Sequence, residues 1–326
     1  MKRFNEILCV VGAGEAGKSA LERAVALAEN NQAGLTVLEV AECVITGLEM
    51  PGKGPTFADL QDAMVSAHAQ DLEALVDPYR TRIKIQTKVL SGTPFLETIR
   101  EVLRSGYDLV IKSPETQDWM DRLFGSDDMH LLRKCPCPVW LIKPQAPKSY
   151  RRILAAVDVG DGYPPAELES RGVLSQQVIE IAAALALADF AELHIVHAWE
   201  AAGEGSMRGA LMRAPEEQVV AYVEQVREQH GANLEALVHE VSDHLGADAV
   251  KYLKPQTHLV KGFARKEIPS LAKHIEADLV VMGTVARTGI PGFIMGNTAE
   301  TILNQLDCSV LAIKPPGFIT PVTLED

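Results

Sequence analysis

The chain repeats itself. Ile7-Leu8-Cys9-Val10-Val11 is answered by Ile153-Leu154-Ala155-Ala156-Val157, and Leu35-Thr36-Val37-Leu38 by Leu193-His194-Ile195-Val196. Asp108-Leu109-Val110-Ile111 returns as Asp278-Leu279-Val280-Val281. The run Cys137-Pro138-Val139-Trp140-Leu141-Ile142-Lys143-Pro144 returns as Cys308-Ser309-Val310-Leu311-Ala312-Ile313-Lys314-Pro315. Four matches in one order, at offsets drifting from 146 to 171 residues, define two copies of one unit. The drift places insertions in the second copy, mainly in its first loop and its second helix. The copies span 1–146 and 147–326, and 145–149 (Gln-Ala-Pro-Lys-Ser) has the composition of a linker.

Helical patterns lie between the apolar runs. Leu21, Ala24, Val25 and Ala28 recur at helical spacing after the first run. Residues 60–76 and the longer 216–245 read as the second helix of each copy. Ile83-Lys84-Ile85-Gln86 alternates like a strand, and a helix follows near 95–103. Each copy therefore reads β-α-β-α-β-α-β-α-β. Short, continuous Val/Ile/Leu strands alternating with helices predict an α/β fold, a parallel sheet covered on both faces. The last strand of each copy, near 139–142 and 310–313, has no following unit to bury it. An uncovered apolar edge is a pairing liability, and the two copies are expected to pair through these strands as a pseudo-dimer in one chain.

At 326 residues, 47% hydrophobic and 23% charged, the chain is long enough for two domains that each bury a core. A net charge of −13 repels phosphate backbones and anionic lipid, which argues against nucleic-acid and membrane partners. Met1-Lys2-Arg3-Phe4-Asn5-Glu6 leads into an apolar run too short for a signal peptide. The stretch 181–190 is too short, and too closely followed by Glu192, to span a bilayer. Five cysteines, an odd number, fit a reducing cytoplasm without a disulfide framework.

Two loops carry phosphate-binding patterns. Gly12-Ala13-Gly14-Glu15-Ala16-Gly17-Lys18-Ser19 fits both G-x-x-x-x-G-K-S and G-x-G-x-x-G, with Glu39 at the end of the second strand as the acid of the dinucleotide reading. Against both readings, the second copy has Asp158-Val159-Gly160-Asp161-Gly162 at this place, and no Asp ends a later strand to hold Mg²⁺. The other pattern runs from Gly283 to Thr298. Gly283 would let backbone approach a ligand, and Gly296-Asn297-Thr298 offers amides and a hydroxyl at a helix start, which favours an anion. The competing reading is a loop whose following helix is capped by Asn297.

The stretch Val280-Val281-Met282-Gly283-Thr284-Val285-Ala286-Arg287-Thr288-Gly289, followed by Gly296-Asn297-Thr298-Ala299-Glu300, resembles the nucleotide motif of the universal stress protein family: G-x-x-G, nine residues, then G-[ST]. The resemblance covers essentially the whole chain. Residues 131–140 and Thr320-Pro321-Val322 are similar to the tandem, E-type branch of that family. The resemblance implies two tandem five-stranded sheets of order 3-2-1-4-5 paired through their last strands, and binding of AMP or ATP, with Mg²⁺, in some members. It assigns Asp158 to the acid that contacts the nucleoside, Gly283 to the first motif glycine and Gly296 to the third. Ala286 stands where the second glycine is expected and Asn297 where Ser or Thr is usual, with Thr298 beside it. A methyl at Ala286 would crowd the phosphates; Arg287 either restores positive charge there or is an ordinary loop arginine. In the first copy Gly12 replaces the acid, Ser113-Pro114-Glu115-Thr116 replaces G-x-x-G, and Gly125-Ser126 comes one residue early. Glu115, Asp118 and Asp121 would meet a triphosphate with negative charge, so that copy is expected to lack the nucleotide site.

No metal site is expected. His239 and His244 are five apart, missing the spacing of four that puts two ligands on one helix face. Cys135-Pro136-Cys137 lacks a two-residue gap and a second pair, which favours buried thiols. His194 and His197, three apart on a strand, face opposite sides; His197 either lines a ligand pocket or packs in the core. Three functions stand: a non-catalytic stress-response protein with a nucleotide or related ligand in its second domain, a slow ATPase or phosphotransferase using Lys18, and a carrier or scaffold without nucleotide. Association of two such chains as a homodimer stays open.

Overall fold

A computed structural model of the chain describes residues 4–12, 16–42, 56–114, 127–144, 146–209, 212–284 and 295–324. The first half runs β1 (Glu6–Val10), α1 (Ala16–Asn31), β2 (Gly34–Ala41), α2 (Phe57–Val76), β3 (Ile85–Ser91), α3 (Pro94–Ser105), β4 (Leu109–Lys112), α4 (Asp127–Lys134) and β5 (Val139–Leu141). The second half runs β6 (Arg152–Ala156), α5 (Pro165–Asp189), β7 (Glu192–Trp199), α6 (Glu204–Arg208), α7 (Glu216–Leu245), α8 (Ala247–Leu253), β8 (Gln256–Lys261), α9 (Ala264–His274), β9 (Leu279–Gly283), α10 (Asn297–Leu303) and β10 (Ser309–Ile313).

Strands buried on both faces must be apolar at every position, and β1 shows the consequence. Ile7 and Cys9 join one core while Leu8 and Val10 join the other. The first core is roofed by α1, α2, α5 and α7, the second by α3, α4, α9 and α10. All ten strands form one sheet in the order β3-β2-β1-β4-β5-β10-β9-β6-β7-β8. Each half thus has the expected order 3-2-1-4-5, parallel within itself. The halves meet where β5 and β10 pair antiparallel, with Val139 opposite Ala312, Trp140 opposite Leu311 and Leu141 opposite Val310.

Polar contacts bracket this seam on both faces. Arg23 on α1 bonds Asp189 at the end of α5 at 2.7 Å and lies 4.0 Å over the ring of Tyr150, itself packed on the buried Trp140. On the opposite face Arg133 of α4 reaches Glu300 of α10 at 2.5 Å. The chain end crosses back to the first half, where Arg100 donates to the carbonyl of Thr323.

Two expectations are corrected. The strand expected from Ile83 begins at Ile85, because Ile83 still belongs to the preceding turn, its amide donating to Tyr79 O. The extra length early in the second half goes chiefly into a helix rather than a loop: α5 has 25 residues against 16 in α1. Pro165 is the first helical residue of α5, a position where proline is preorganised. The short helices α6 and α8 were not anticipated. Among the described residues α5 alone is long and apolar enough to cross a membrane; here Val178, Ile181, Ala182, Leu185 and Ala186 bury its apolar side in the first core.

Candidate functional site

Parallel strands leave their carboxyl ends, and the helix starts that follow, along one edge of the sheet, where ligands of such folds bind. In the second half that edge is built from β6 and β9, which are neighbours, with Ala156 in register with Met282. Asp158, two residues past β6, and Gly283, the last residue of β9, therefore stand side by side.

Asp158 is fully engaged. Its Oδ1 accepts from the amide of Gly160 at 3.1 Å. Its Oδ2 accepts from the Tyr163 hydroxyl at 3.0 Å and from Arg171 at 2.7 Å. The Arg171 guanidinium lies 3.7 Å from the centre of the Tyr163 ring, so cation, ring and carboxylate form one stack. Burial, then the charge of Asp158, push the Tyr163 phenol above its ordinary value. The main chain is pinned as well: Ser175 Oγ donates to Asp158 O at 3.1 Å, and Asn233 of α7 donates to Val159 O at 3.0 Å.

Arg171 and Ser175 lie one turn apart on α5, and Leu174 lies on the same face. Leu174 occupies the space that glycine leaves at 283: a Cβ on Gly283 would come within 2.5 Å of Leu174 Cδ2. The first three turns of α5 thus cover both Asp158 and Gly283.

Behind the acid, His197 is 2% exposed and packs as a core histidine. Its Nδ1 lies 3.2 Å from Val157 O and 3.5 Å from the Val159 amide, and its Nε2 lies 2.9 Å from His230 Nδ1, the donor at the ring nitrogens being set by the tautomer. Burial lowers its pKa, only partly offset by the Val157 carbonyl and the Asp158 charge. His230 in turn stacks against Trp199.

At the far side, Gly296 N donates to Thr284 O at 3.0 Å, closing the base of the loop between them. Gly283 and Gly296 are thereby brought together. Ala286 and Arg287 lie outside the described residues. Gly296 is the N-cap of α10 with no side-chain cap bond, so Asn297 is the first helical residue and not the cap. Thr298 is exposed beside it.

The first half builds a different edge. Ser113 stands where the second half has Gly283, and before it the buried Lys112 pairs with the buried Asp128 at 2.6 Å. Glu39, the acid of the dinucleotide reading, pairs with His68 at 2.8 Å. Gly17 and Lys18 open α1, and 13–15, 115–126 and 145 lie outside the described residues, among them Glu115, Asp118, Asp121, Gly125 and Ser126. Among the described residues no group of three or more His, Cys, Asp or Glu is placed to hold a metal ion.

The model of the universal stress protein family matches residues 3–143 and again 149–314. The chain belongs to the universal stress protein family, as a tandem member. It is 33% identical over 246 residues to universal stress protein E of Escherichia coli K12, covering 75% of this chain and 72% of that protein. Against the universal stress protein E homolog of Haemophilus influenzae it is 30% identical over 321 residues, 96% and 98% of the two chains. Its fold matches a functionally unknown protein of Pseudomonas aeruginosa PAO1 with a TM-score of 0.62 at 26% identity, over 96% and 93% of the chains. Like the family, it is a stress-response protein.

Sequence reasoning missed Tyr163, Arg171, Leu174, Ser175, His230 and Asn233. Arg171, Leu174 and Ser175 share one face of the lengthened α5, but nothing in the sequence says what that face meets.

Proposed function

We propose that this chain is a non-catalytic cytoplasmic stress-response protein whose second domain takes an adenine nucleotide, AMP or ATP with Mg²⁺, at the edge formed by Asp158, Gly283, Ala286, Arg287, Gly296, Asn297 and Thr298. One observation carries the reading. Asp158, at the strand end beside Gly283, already holds a cation and a hydroxyl donor, Arg171 and Tyr163, in the arrangement a nucleoside would need to replace. On binding, Asp158 turns to the ligand hydroxyls and Arg171 is released toward the phosphates, an exchange of one ion pair for another.

The test is to purify the full chain without added nucleotide, identify any retained ligand by mass spectrometry, and titrate AMP and ATP with Mg²⁺ by calorimetry. Binding without turnover, abolished by Asp158→Ala, supports the proposal. Turnover lost in Lys18→Ala would replace it with the ATPase reading. Gly283→Val is a poor probe, because its side chain would strike Leu174 with or without ligand.

A second reading has its own observation. Leu174 on Gly283 and Arg171 on Asp158 close the cleft from within, as expected of a scaffold that takes no nucleotide. Absence of binding in both the parent chain and Leu174→Ala would select it.

A further inference from the structure

The link from α4 to β5 brings two thiols together inside the protein. Cys135 closes the last turn of α4, its amide donating to Leu131 O at 2.9 Å, and Cys137 precedes β5. Their sulfurs are 3.6 Å apart and both residues are buried. Lys314, just after β10, enters from the other half and is 5% exposed. Its Nζ donates to Leu132 O at 2.5 Å and to Thr284 Oγ1 at 2.8 Å. Two thiols and a lysine are thus buried at the seam, with Lys314 near enough for its charge to act on Cys135, and nothing in the nucleotide proposal uses them.

The other buried cysteines show what is different here. Burial pushes Cys9 far up and Cys308 up to about 12, with no partner to offset it for Cys9. Burial opposes ionisation of Cys135 too, but the hydrogen bond from Cys137 and the charge of Lys314 outweigh it, so Cys135 falls below its ordinary value. Donating that bond, then burial, push Cys137 up; Asp108 adds to this. Burial brings Lys314 down to about 7, with Cys135 pulling the other way. The thiolate is the reactive form of cysteine; the Lys314 charge favours it on Cys135, whose sulfur lies 3.6 Å from that of Cys137.

We propose that Cys135 and Cys137 form a reversible dithiol–disulfide site for small hydroperoxides, with Cys135 the attacking thiol, Cys137 the resolving thiol and Lys314 the positioning cation. The Cys135 thiolate attacks the terminal peroxide oxygen; an S–O bond forms, the O–O bond breaks, and the departing hydroxide, or alkoxide from an alkyl hydroperoxide, takes a proton from the Lys314 ammonium to leave as water or alcohol. Cys137 sulfur then attacks the Cys135 sulfenic acid; the S–S bond forms, the S–O bond breaks, and the Cys137 proton leaves with the hydroxide as a second water. Two thiols are oxidised and one peroxide is reduced. Two equivalents of a low-molecular-weight thiol reverse the reaction, and the proton regained by Cys135 passes to Lys314. The sulfurs must close from 3.6 Å to about 2.0 Å, a movement within reach of side-chain rotation.

The test uses the full chain carrying Cys43→Ser, treated with stoichiometric hydrogen peroxide, then denatured, alkylated and mapped by mass spectrometry. The expected product has lost two hydrogens and two alkylatable thiols, both in the peptide holding Cys135 and Cys137, and dithiothreitol restores them. Cys137→Ser should stop at a sulfenic acid that dimedone traps. Lys314→Met should slow oxidation about tenfold at neutral pH and move its pH profile upward, since less thiolate is present. Retention of both thiols, sulfinic acid in place of the disulfide, or equal reaction at Cys9 and Cys308 would overturn the site. A Lys314→Met chain with unchanged rate and pH profile would remove the lysine from it.

Discussion

Arg171 serves two masters in the proposed binding reaction. A nucleoside without phosphates needs Asp158 free, whereas a polyphosphate also gains a cation. Arg171→Met is therefore expected to raise adenosine affinity and lower ATP affinity, each by about fivefold, or about 1 kcal/mol for a partly exposed ion pair. Calorimetric titration of the two ligands reads the split; a shift of both in the same direction would contradict the exchange. Lys314 and Cys135 support a second residue-scale prediction. Both release protons more readily in the folded chain than in the unfolded one, Lys314 near 7 and Cys135 below 9.0. The unfolded chain then binds more protons, so stability rises with pH from about 7 to about 9. Lys314→Met should flatten that rise, which urea midpoints measured across the window would show.

The elongated α5 is the element that sets the character of the candidate site. If Leu174 fits Gly283 as a knob fits a hole, Gly283→Ala alone should destabilise the fold, and Leu174→Ala should restore part of the loss. The expected coupling is at least about 1 kcal/mol in a double-mutant cycle read by denaturant unfolding; simple additivity would mean the two do not press on each other. The sheet and the order of its strands were legible because buried parallel strands are continuous apolar runs, and a repeated run is hard to miss. The limits of α7 were equally plain, 216–245 in both readings. Gly283 and Gly296 could be picked out from local signals, a glycine at a strand end and one at a helix start, whereas Asp158 came only with the family resemblance. Arg171, Leu174 and Ser175 could not be: only the fold brings a helix face onto the ends of two strands, and no local spacing encodes that approach. The competing reading of Asn297 as a cap fails by one residue, since Gly296, whose amide is held by Thr284 O across the loop, is the N-cap of α10.

Both hydrophobic cores run without a break from one half into the other, through Trp140, Tyr150 and Leu311 on one face and Val139, Leu141 and Val310 on the other. The halves are accordingly expected to unfold together, as a single cooperative transition in calorimetry and denaturant titration. Trp140→Ala should lower that one transition by about 3–5 kcal/mol, whereas two separable transitions would show that the seam does not couple the halves. The seam has a further consequence. Because β5 and β10 belong to the same chain, their pairing is unimolecular, and the short link from β5 to β6 holds the local concentration of each half around the other at a level no dilution can reduce. Two separate units paired this way would dissociate as their abundance fell. Here the pairing is indifferent to how much protein the cell makes, and neither half can trade places with its equivalent in another molecule. The first half can therefore keep its buried Lys112–Asp128 pair, and the second its Asp158–Arg171 pair, without either being averaged away by exchange.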